Sequence, residues 1–233
     1  MTNTFEIVFA VPMECDSCVD SIASVLKGLD GVEKFNINLK DNLVSTEGSL
    51  PPSEISKAIQ STGKDAIIRG TGKPDSAAVC ILESFDPNDI QHPVKGLARL
   101  VEVSPNDLFV DLTVNGLPKG VYYPSIRVSG NLSQGALSTG PSFYELNPIE
   151  VKTPEDSTLY AGQAFLHAKL NINQLIGRSI ILSKIKDQVA PDSLCGVIAR
   201  SAGVWENDKQ VCSCSGKTVW QERIDARVKG VHV

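Results

Sequence analysis

Two pairs of closely spaced cysteines stand near opposite ends of this 233-residue chain. The first pair is Cys15 and Cys18, preceded by Met13, and the second is Cys212 and Cys214. Together they make up four of the six cysteines, whereas the chain has only three histidines. Thiolate sulfur is a soft ligand that selects soft ions, chiefly Cu(I) and Zn(II). The two motifs therefore predict thiolate metal sites at both ends, and we expect the ion to be Cu(I).

The composition limits the classes of function that need to be considered. A hydrophobic content of 42% and a charged content of 21% are typical of a globular protein with one large or two modest domains. The net charge of −5 argues against nucleic-acid binding, and no apolar run approaches the roughly 20 residues of a membrane span. The N-terminus lacks a basic start followed by an apolar stretch, so we expect a reducing, cytoplasmic compartment.

Residues 1–70 carry the pattern of an α/β unit. Apolar residues alternate from Phe5 to Val11, as in a half-buried strand, and a helical apolar stripe follows, for which Asp16 is the predicted N-cap. Two strands, a helix and a short strand then follow at Phe35 to Leu39, Leu43 to Thr46, Ile55 to Ile59 and Ala66 to Arg69. The order βαββαβ predicts a ferredoxin-like fold.

This order places Cys15 in the loop after the first strand and Cys18 in the first turn of the first helix. The helix N-terminus favours thiolate over thiol, because its N–H groups are unpaired and its dipole end is positive. Two such thiolates can share one ion and leave it open to attack by a third, whereas a structural zinc site is closed by four ligands. A redox pair and half of a zinc site remain open alternatives.

Met-x-Cys-x-x-Cys at this junction resembles the heavy-metal-associated domain of copper chaperones and copper-pumping ATPases. The resemblance implies that Cys15 and Cys18 bind Cu(I) for transfer. Met13 is expected to fill the core rather than to bind the ion. Lys64 either offsets the negative charge of a dithiolate copper complex or is an ordinary solvated lysine.

Residues 71–76 are rich in turn formers and predict a linker, and residues 77–203 contain short strands separated by Gly, Pro and Asn. That pattern predicts an all-β barrel or sandwich. Four segments are similar to Cu,Zn superoxide dismutase, an eight-stranded Greek-key barrel: Ala78 to Leu82, Gly116 to Gly120, Leu175 to Ser179 and Cys195 to Ile198.

The metal ligands of that enzyme are missing at the matching positions. Ser125 and Arg127 stand where the resemblance implies two copper histidines, Ser142 replaces the bridging histidine, and Ser183 replaces the last one. The loop from Phe143 to Tyr160 contains no histidine. The barrel is therefore predicted to have no dismutase activity of its own.

The remaining cysteines and histidines of the barrel are expected to be structural. Ala136 occupies the place of one disulfide cysteine of the enzyme, so its partner Cys195 is predicted to be a free buried thiol. Cys80 is predicted to be a small residue of the hydrophobic core. His92 and His167 are isolated in the sequence and are not expected to bind metal.

The dismutase-like barrel implies a surface for pairing. The enzyme forms a two-fold dimer, so a heterodimer with the enzyme is predicted, and a homodimer remains an open alternative. The residues that carry the matching contact features are Ile176, Gly177, Gly196, Val197 and Ile198.

Residues 204–233 are predicted to form a short flexible tail. Two thiols one residue apart are strained as an internal disulfide, so Cys212 and Cys214 would exchange readily with other thiols. They also form a compact clamp for a soft ion.

The three parts together resemble the fungal type of copper chaperone for superoxide dismutase. The resemblance implies a metallochaperone rather than an enzyme. In this scheme Cys15 and Cys18 acquire Cu(I), the barrel docks on immature dismutase, and Cys212 and Cys214 pass on copper and promote the target's disulfide. It also implies a cytoplasmic location, with a fraction in the mitochondrial intermembrane space. A closed zinc site made by all four cysteines and an active dismutase are the alternatives.

Overall fold

The computed structural model describes residues 4–152, 161–207, 211 and 215–228. These residues form an N-terminal α/β domain, a β-barrel and a C-terminal helix. Within the described residues, no helix has both the length and the apolar character needed to cross a bilayer.

The first domain has the predicted order of elements, and the ferredoxin-like fold is confirmed. Its four strands form one antiparallel sheet in the order β2-β3-β1-β4. The elements are β1 (Phe5–Ala10), α1 (Asp16–Lys27), β2 (Val32–Asn38), β3 (Leu43–Gly48), α2 (Pro52–Gln60) and β4 (Ile67–Thr71).

Helix α1 begins one residue earlier than the predicted cap implies. Cys15 is the N-cap, with extended backbone angles, and no side chain caps the helix. Asp16 is the first helical residue, so its prediction as the cap is wrong. An acidic side chain in this first turn still complements the positive end of the helix dipole. The apolar face of α1 buries Ile22 and Leu26 against the sheet.

The barrel closes on itself through eight antiparallel strands, which confirms the predicted fold class. The strand order is β8-β11-β12-β7-β6-β5-β14-β13, and β13 pairs back onto β8. Strand β10 also pairs with β8, and β15 pairs with β5. The strands are β5 (Ala77–Glu83), β6 (Val94–Ser104), β7 (Asp107–Val114), β8 (Gly120–Arg127), β9 (Ser133–Ala136), β10 (Ser142–Glu145), β11 (Ile149–Val151), β12 (Gly162–Ala168), β13 (Ser179–Ser183), β14 (Leu194–Val197) and β15 (Ala199–Arg200).

The connection between the first domain and the barrel is packed against both. Thr71 ends β4 and pairs with Ile7, so the first residue of the predicted linker is part of the sheet. The Thr71 N–H donates to the Ala202 carbonyl, and the Val204 N–H donates to the Gly72 carbonyl. The segment that leaves the barrel therefore lies directly against the segment that enters it.

The two domains also share apolar contacts. Val101 and Phe109 of the barrel belong to the hydrophobic core cluster of the first domain. The Phe109 ring lies 6.0 Å from the ring of Phe5, between centroids. Because these barrel side chains complete the first domain's core, the relative position of the domains is fixed by packing as well as by the chain connection.

The described part of the tail contains a third helix, α3 (Val219–Val228). Its start is a reciprocal capping pair, a common signature of a helix N-terminus. The Thr218 N–H donates to Gln221 Oε1 at 2.8 Å, and the Gln221 N–H donates to Thr218 Oγ1 at 3.2 Å. Before the helix, Val211 and Thr218 form an antiparallel bridge.

Candidate metal centre

Cys15 and Cys18 lie side by side where β1 leads into α1. Their Sγ atoms are 3.7 Å apart. Cys15 is exposed, whereas Cys18 is half-buried and packs against the first domain's core. Two sulfurs at this separation can bind one ion, and the exposed side leaves room for an incoming ligand.

The environment of Cys18 favours its thiolate. Hydrogen bonds from the backbone at Glu14 and Cys15 lower the pKa of the Cys18 thiol to about 7, against the opposing effect of partial burial. The positive charge of Lys64 acts in the same direction on this pKa. A thiolate at neutral pH is the form that binds soft metals, so the site is prepared for an ion before one arrives.

Met13 and Asn42 fix the loop in front of the cysteines. Met13 is buried in the first domain's core, which confirms the expectation that it fills the core. The Asn42 side chain accepts a hydrogen bond from the Met13 N–H at 2.7 Å, and its carbonyl accepts one from the Val11 N–H. Asn42 has a φ of +56°, a conformation that asparagine tolerates better than most residues. Asn42 lies between β2 and β3, and its role in holding this loop was not predicted from the sequence.

The second predicted pair, Cys212 and Cys214, lies outside the described residues. The residues that flank it, Val211 and Thr218, are bridged to each other. The predicted role of these two cysteines therefore stays a prediction.

The barrel has polar but non-ligating side chains at the positions of the missing histidines. Ser125 and Ser183 are buried, and the Arg127 guanidinium donates to the Gly140 carbonyl, with an Nε–O distance of 3.1 Å. Among the residues that the structure describes, no group of three or more His, Cys, Asp or Glu side chains could hold a metal. His167 instead contacts the Phe109 ring at 5.3 Å between centroids.

Similarity to known proteins extends over both the first domain and the whole chain. Residues 8–65, which include Cys15 and Cys18, match the family model of the heavy-metal-associated domain. The chain is 72% identical over 248 residues to the superoxide dismutase 1 copper chaperone of Debaryomyces hansenii, and the match covers 99% of each chain. The chain belongs to the copper chaperones for superoxide dismutase 1.

A second fungal relative and one solved structure from the same family are also similar to parts or all of this chain. The Saccharomyces cerevisiae protein is 45% identical over 244 residues, with 98% of each chain covered. Among solved structures, the copper(I)-loaded first domain of the human copper chaperone for SOD1 is 35% identical, with a TM-score of 0.29; the match covers 30% of this chain and 97% of that one. The family predicted from the sequence is confirmed.

In this copper chaperone, the barrel cysteines are buried and protonated. Burial raises the pKa of Cys80 and of Cys195 to about 12 in each case. Cys195 packs with Ala136 and Ile181 in one small cluster. Ala136 thus lies against Cys195, at the place that the resemblance assigned to a disulfide partner, and among the described cysteines Cys15, Cys18, Cys80 and Cys195 are all free thiols.

The residues of the chaperone predicted to form a partner interface differ in exposure. Val197 is 39% exposed and Ile176 is half-buried, whereas the Ile198 side chain is 1% exposed and belongs to the barrel core. Gly196 is covered by the Ile81 carbonyl, and Gly177 has a φ of +82° with open space at its Cα. An interface at this position would therefore use the side chains of Ile176 and Val197 and the backbone of the glycines, while Ile198 supports the strand from inside.

Proposed function

We propose that this chaperone binds Cu(I) through the thiolates of Cys15 and Cys18 and delivers it to superoxide dismutase 1. The observation that carries the proposal is the 3.7 Å separation of the two Sγ atoms, with Cys15 exposed. Two-coordinate Cu(I) on such a pair is open to a third thiolate. Copper then moves by ligand exchange, in which a new Cu–S bond forms before an old one breaks.

The barrel is the proposed docking unit for the immature dismutase. Around Val197 the surface presents further apolar groups: Val128 is 40% exposed, and the Phe143 ring lies under the Arg178 guanidinium at 3.9 Å. Gly130 lies in close contact with two other parts of this surface. A Cβ on it would lie 2.3 Å from the Gly177 carbonyl oxygen and 3.4 Å from the Val197 side chain. An exposed apolar surface of this kind favours pairing with a second barrel over remaining in water.

The tail cysteines are proposed to complete delivery. Cys212 and Cys214 take the ion and pass it to the docked dismutase. Cys212 then forms a transient disulfide with a dismutase cysteine, and the second dismutase thiolate displaces it to give the target's own disulfide. The two electrons and protons released in this oxidation go to an external oxidant such as O₂. The chaperone itself is proposed to lack dismutase activity, because serine and arginine replace the imidazole ligands.

The division of the chain into residues 1–70, 71–76, 77–203 and 204–233 remains a proposal, as do a cytoplasmic location and a fraction in the mitochondrial intermembrane space. A reducing compartment suits the four free thiols of the described residues.

An anaerobic transfer assay tests the function. The chaperone is loaded with Cu(I) and mixed with copper-free, disulfide-reduced dismutase in excess chelator, and dismutase activity is read after oxygen is admitted. We expect activation that is lost in Cys15→Ser and in Cys212→Ser but retained in Cys80→Ala, which removes a thiol that the scheme does not use. Absence of activation, together with tightly bound zinc whose removal unfolds the chain, would favour the closed four-cysteine site instead.

Docking is tested separately by sedimentation of the mixture. Val197→Glu is expected to abolish the heterodimer, because a carboxylate would be buried without a partner. Val121→Glu is the matched control, because Val121 is 48% exposed and lies near the start of β8. Gly130, which adjoins Val197, follows the other end of that strand. Equal binding by the two variants would place the interface elsewhere.

A further inference from the structure

A cleft of about 390 Å³ lies where the first domain, the barrel and α3 meet. Its walls come from α2 and β4 of the first domain, from β5 and β6 of the barrel, and from Arg223 of α3. We call it the interdomain cleft. Its volume falls within the roughly 300–1,000 Å³ of known small-molecule sites, so a small organic ligand would fit.

Most of the wall of the interdomain cleft is apolar. The side of β5 and β6 that points away from the barrel interior contributes Val79, Ile81 and Leu97, and β4 contributes Ile67 and Ile68. Ile81 is 50% exposed, so the cleft is open to solvent beside this side chain. An apolar wall in contact with water gains free energy when a hydrocarbon group covers it.

The charged groups of the cleft wall all have the same sign. They are Arg99 of β6 and Arg223 of α3, and within the described part of the chain no aspartate or glutamate lines the cleft. Arg223 Nε lies 3.4 Å from Asp65 Oδ2, but Arg227 Nη2 lies 3.1 Å from the other oxygen of that carboxylate. One negative charge thus balances two guanidinium groups, which leaves a positive excess beside the cleft.

Arg99 lacks a complete set of hydrogen-bond acceptors. Its Nη1 is shielded from water and has no hydrogen-bond partner among the residues that the structure describes. Asp111 lies opposite Arg99 on β7 and feels its charge, but both oxygens of Asp111 accept hydrogen bonds from Ser53. A shielded N–H without an acceptor is unfavourable, and an anion in the cleft would provide a charge-assisted one.

We propose that the interdomain cleft binds a small amphipathic carboxylate of the medium-chain fatty acid type. The carboxylate pairs with Arg99, with Arg223 adding a second positive charge, and the hydrocarbon chain covers the apolar wall of β4, β5 and β6. Since the wall comes from both domains and α3, the bound molecule stabilises the contact between them. The site uses neither Cys15 nor Cys18, so the proposal is independent of copper delivery.

Titration of the metal-free, full-length chain with octanoate tests the site, followed by proton–nitrogen correlation NMR. We expect saturable shifts centred on the amides of Val79, Leu97 and Arg99. Octanol keeps the chain without the charge, and acetate keeps the charge without the chain, so each should bind about tenfold or more weakly than octanoate. Shifts that do not saturate or that centre elsewhere, or octanol binding as tightly as octanoate, would overturn the proposal.

A charge at the mouth of the cleft tests its position. Ile81→Glu places a second carboxylate beside the ligand, so octanoate should bind about three- to tenfold more weakly. Val121→Glu is the matched control, because Val121 is 48% exposed but lies on β8, outside the cleft wall. Equal affinities of the two variants for octanoate would contradict binding in the cleft.

The role of Arg99 is tested by two substitutions. Arg99→Gln removes the charge and should weaken octanoate binding about ten- to a hundredfold, the range expected for a lost charge-assisted hydrogen bond. Arg99→Lys keeps the charge and should bind more tightly than Arg99→Gln. The NMR spectra show whether each variant is folded. Unchanged affinity in folded Arg99→Gln would refute the proposal, and if that variant does not fold, the comparison of Ile81→Glu with Val121→Glu decides.

Discussion

Ser53, at the start of α2, donates two hydrogen bonds to Asp111 on β7, from its backbone N at 2.8 Å and from its hydroxyl at 2.7 Å. Asp111 is completely buried, and Arg99 is its neighbour on the paired strand β6. Gln163 of the barrel donates to the same Ser53 hydroxyl at 2.7 Å. This small network joins the two domains at a place where water cannot replace a lost partner.

Removing the Asp111 carboxylate should destabilise the contact between the two domains. Asp111→Ala leaves the two Ser53 donors without their acceptor and the Arg99 guanidinium without the nearby negative charge, so we expect the free energy of unfolding to fall by about 2–4 kcal/mol. Urea unfolding followed by circular dichroism measures this change. Asp75→Asn, at an exposed carboxylate whose φ of +62° asparagine also tolerates, should change the same quantity by less than about 0.5 kcal/mol. A similarly small effect at Asp111 would mean that the network contributes little.

Asp111 should also give the chain an unusual response to pH. Burial raises the pKa of this carboxyl, with Arg99 and the Ser53 hydrogen bonds opposing the shift. A raised pKa in the folded state means that the carboxyl stabilises the fold most below its unfolded pKa, and that this contribution is lost as the pH rises through the folded value. Compared with Asp111→Asn, the unmodified chain should therefore be relatively most stable in acid. A pH-independent difference between the two would contradict this prediction.

The thiol of Cys18 should react at neutral pH while the barrel thiols do not. In the metal-free protein, the rate of alkylation at Cys18 should rise with pH and reach half of its plateau at about pH 7. Cys80 and Cys195, with pKa values of about 12, should react only after unfolding. Tandem mass spectrometry assigns the label to each site.

The contribution of Lys64 to Cys18 can be isolated in the same experiment. Lys64→Gln removes a positive charge that lowers the Cys18 pKa, so the midpoint of the alkylation profile should move to higher pH. Lys27→Gln, at the opposite end of α1, serves as the control and should leave the midpoint in place. Identical profiles for all three proteins would assign Lys64 to the solvated surface.

Two glycines of the predicted interface should tolerate a methyl group very differently. A Cβ on Gly196 would lie 1.8 Å from the Ile81 carbonyl oxygen, so Gly196→Ala must displace backbone and should cost about 3 kcal/mol of stability. Gly177→Ala meets open space and carries only the penalty of its positive φ, about 1 kcal/mol. Thermal unfolding of the two variants compares these costs directly, and equal losses would contradict the packing at Gly196.

The first domain was predicted well because short-range sequence patterns mark its strands and helices. The alternation from Phe5 to Val11 and the apolar stripe of α1 are short-range signals, and they were enough to place Cys15 and Cys18 at the start of that helix. The cap was misassigned to Asp16 because acidic residues are common both at the cap and in the first turn.

The contacts between domains could not be predicted in this way. Asp111 sits between apolar neighbours in a strand, and its partner Ser53 is 58 residues away in sequence. Ile198 was assigned to the interface by resemblance, yet its side chain joins the barrel core while that of Val197 is partly exposed. The hydrogen bonds from Arg69 to the Asn207 carbonyl and from Arg227 to Asp65 likewise join residues 138 and 162 positions apart, for which a single sequence carries no signal.

The Arg127 guanidinium that holds the Gly140 carbonyl has a consequence for the cargo. Arg127 stands where the resemblance implied a copper histidine, and its permanent positive charge repels a cation such as Cu(I). Among the described residues, no group of three or more His, Cys, Asp or Glu side chains lies in the barrel where it could hold a metal. The side chain that fixes the loop at Gly140 is thus also the one that disfavours a cation at this place in the barrel.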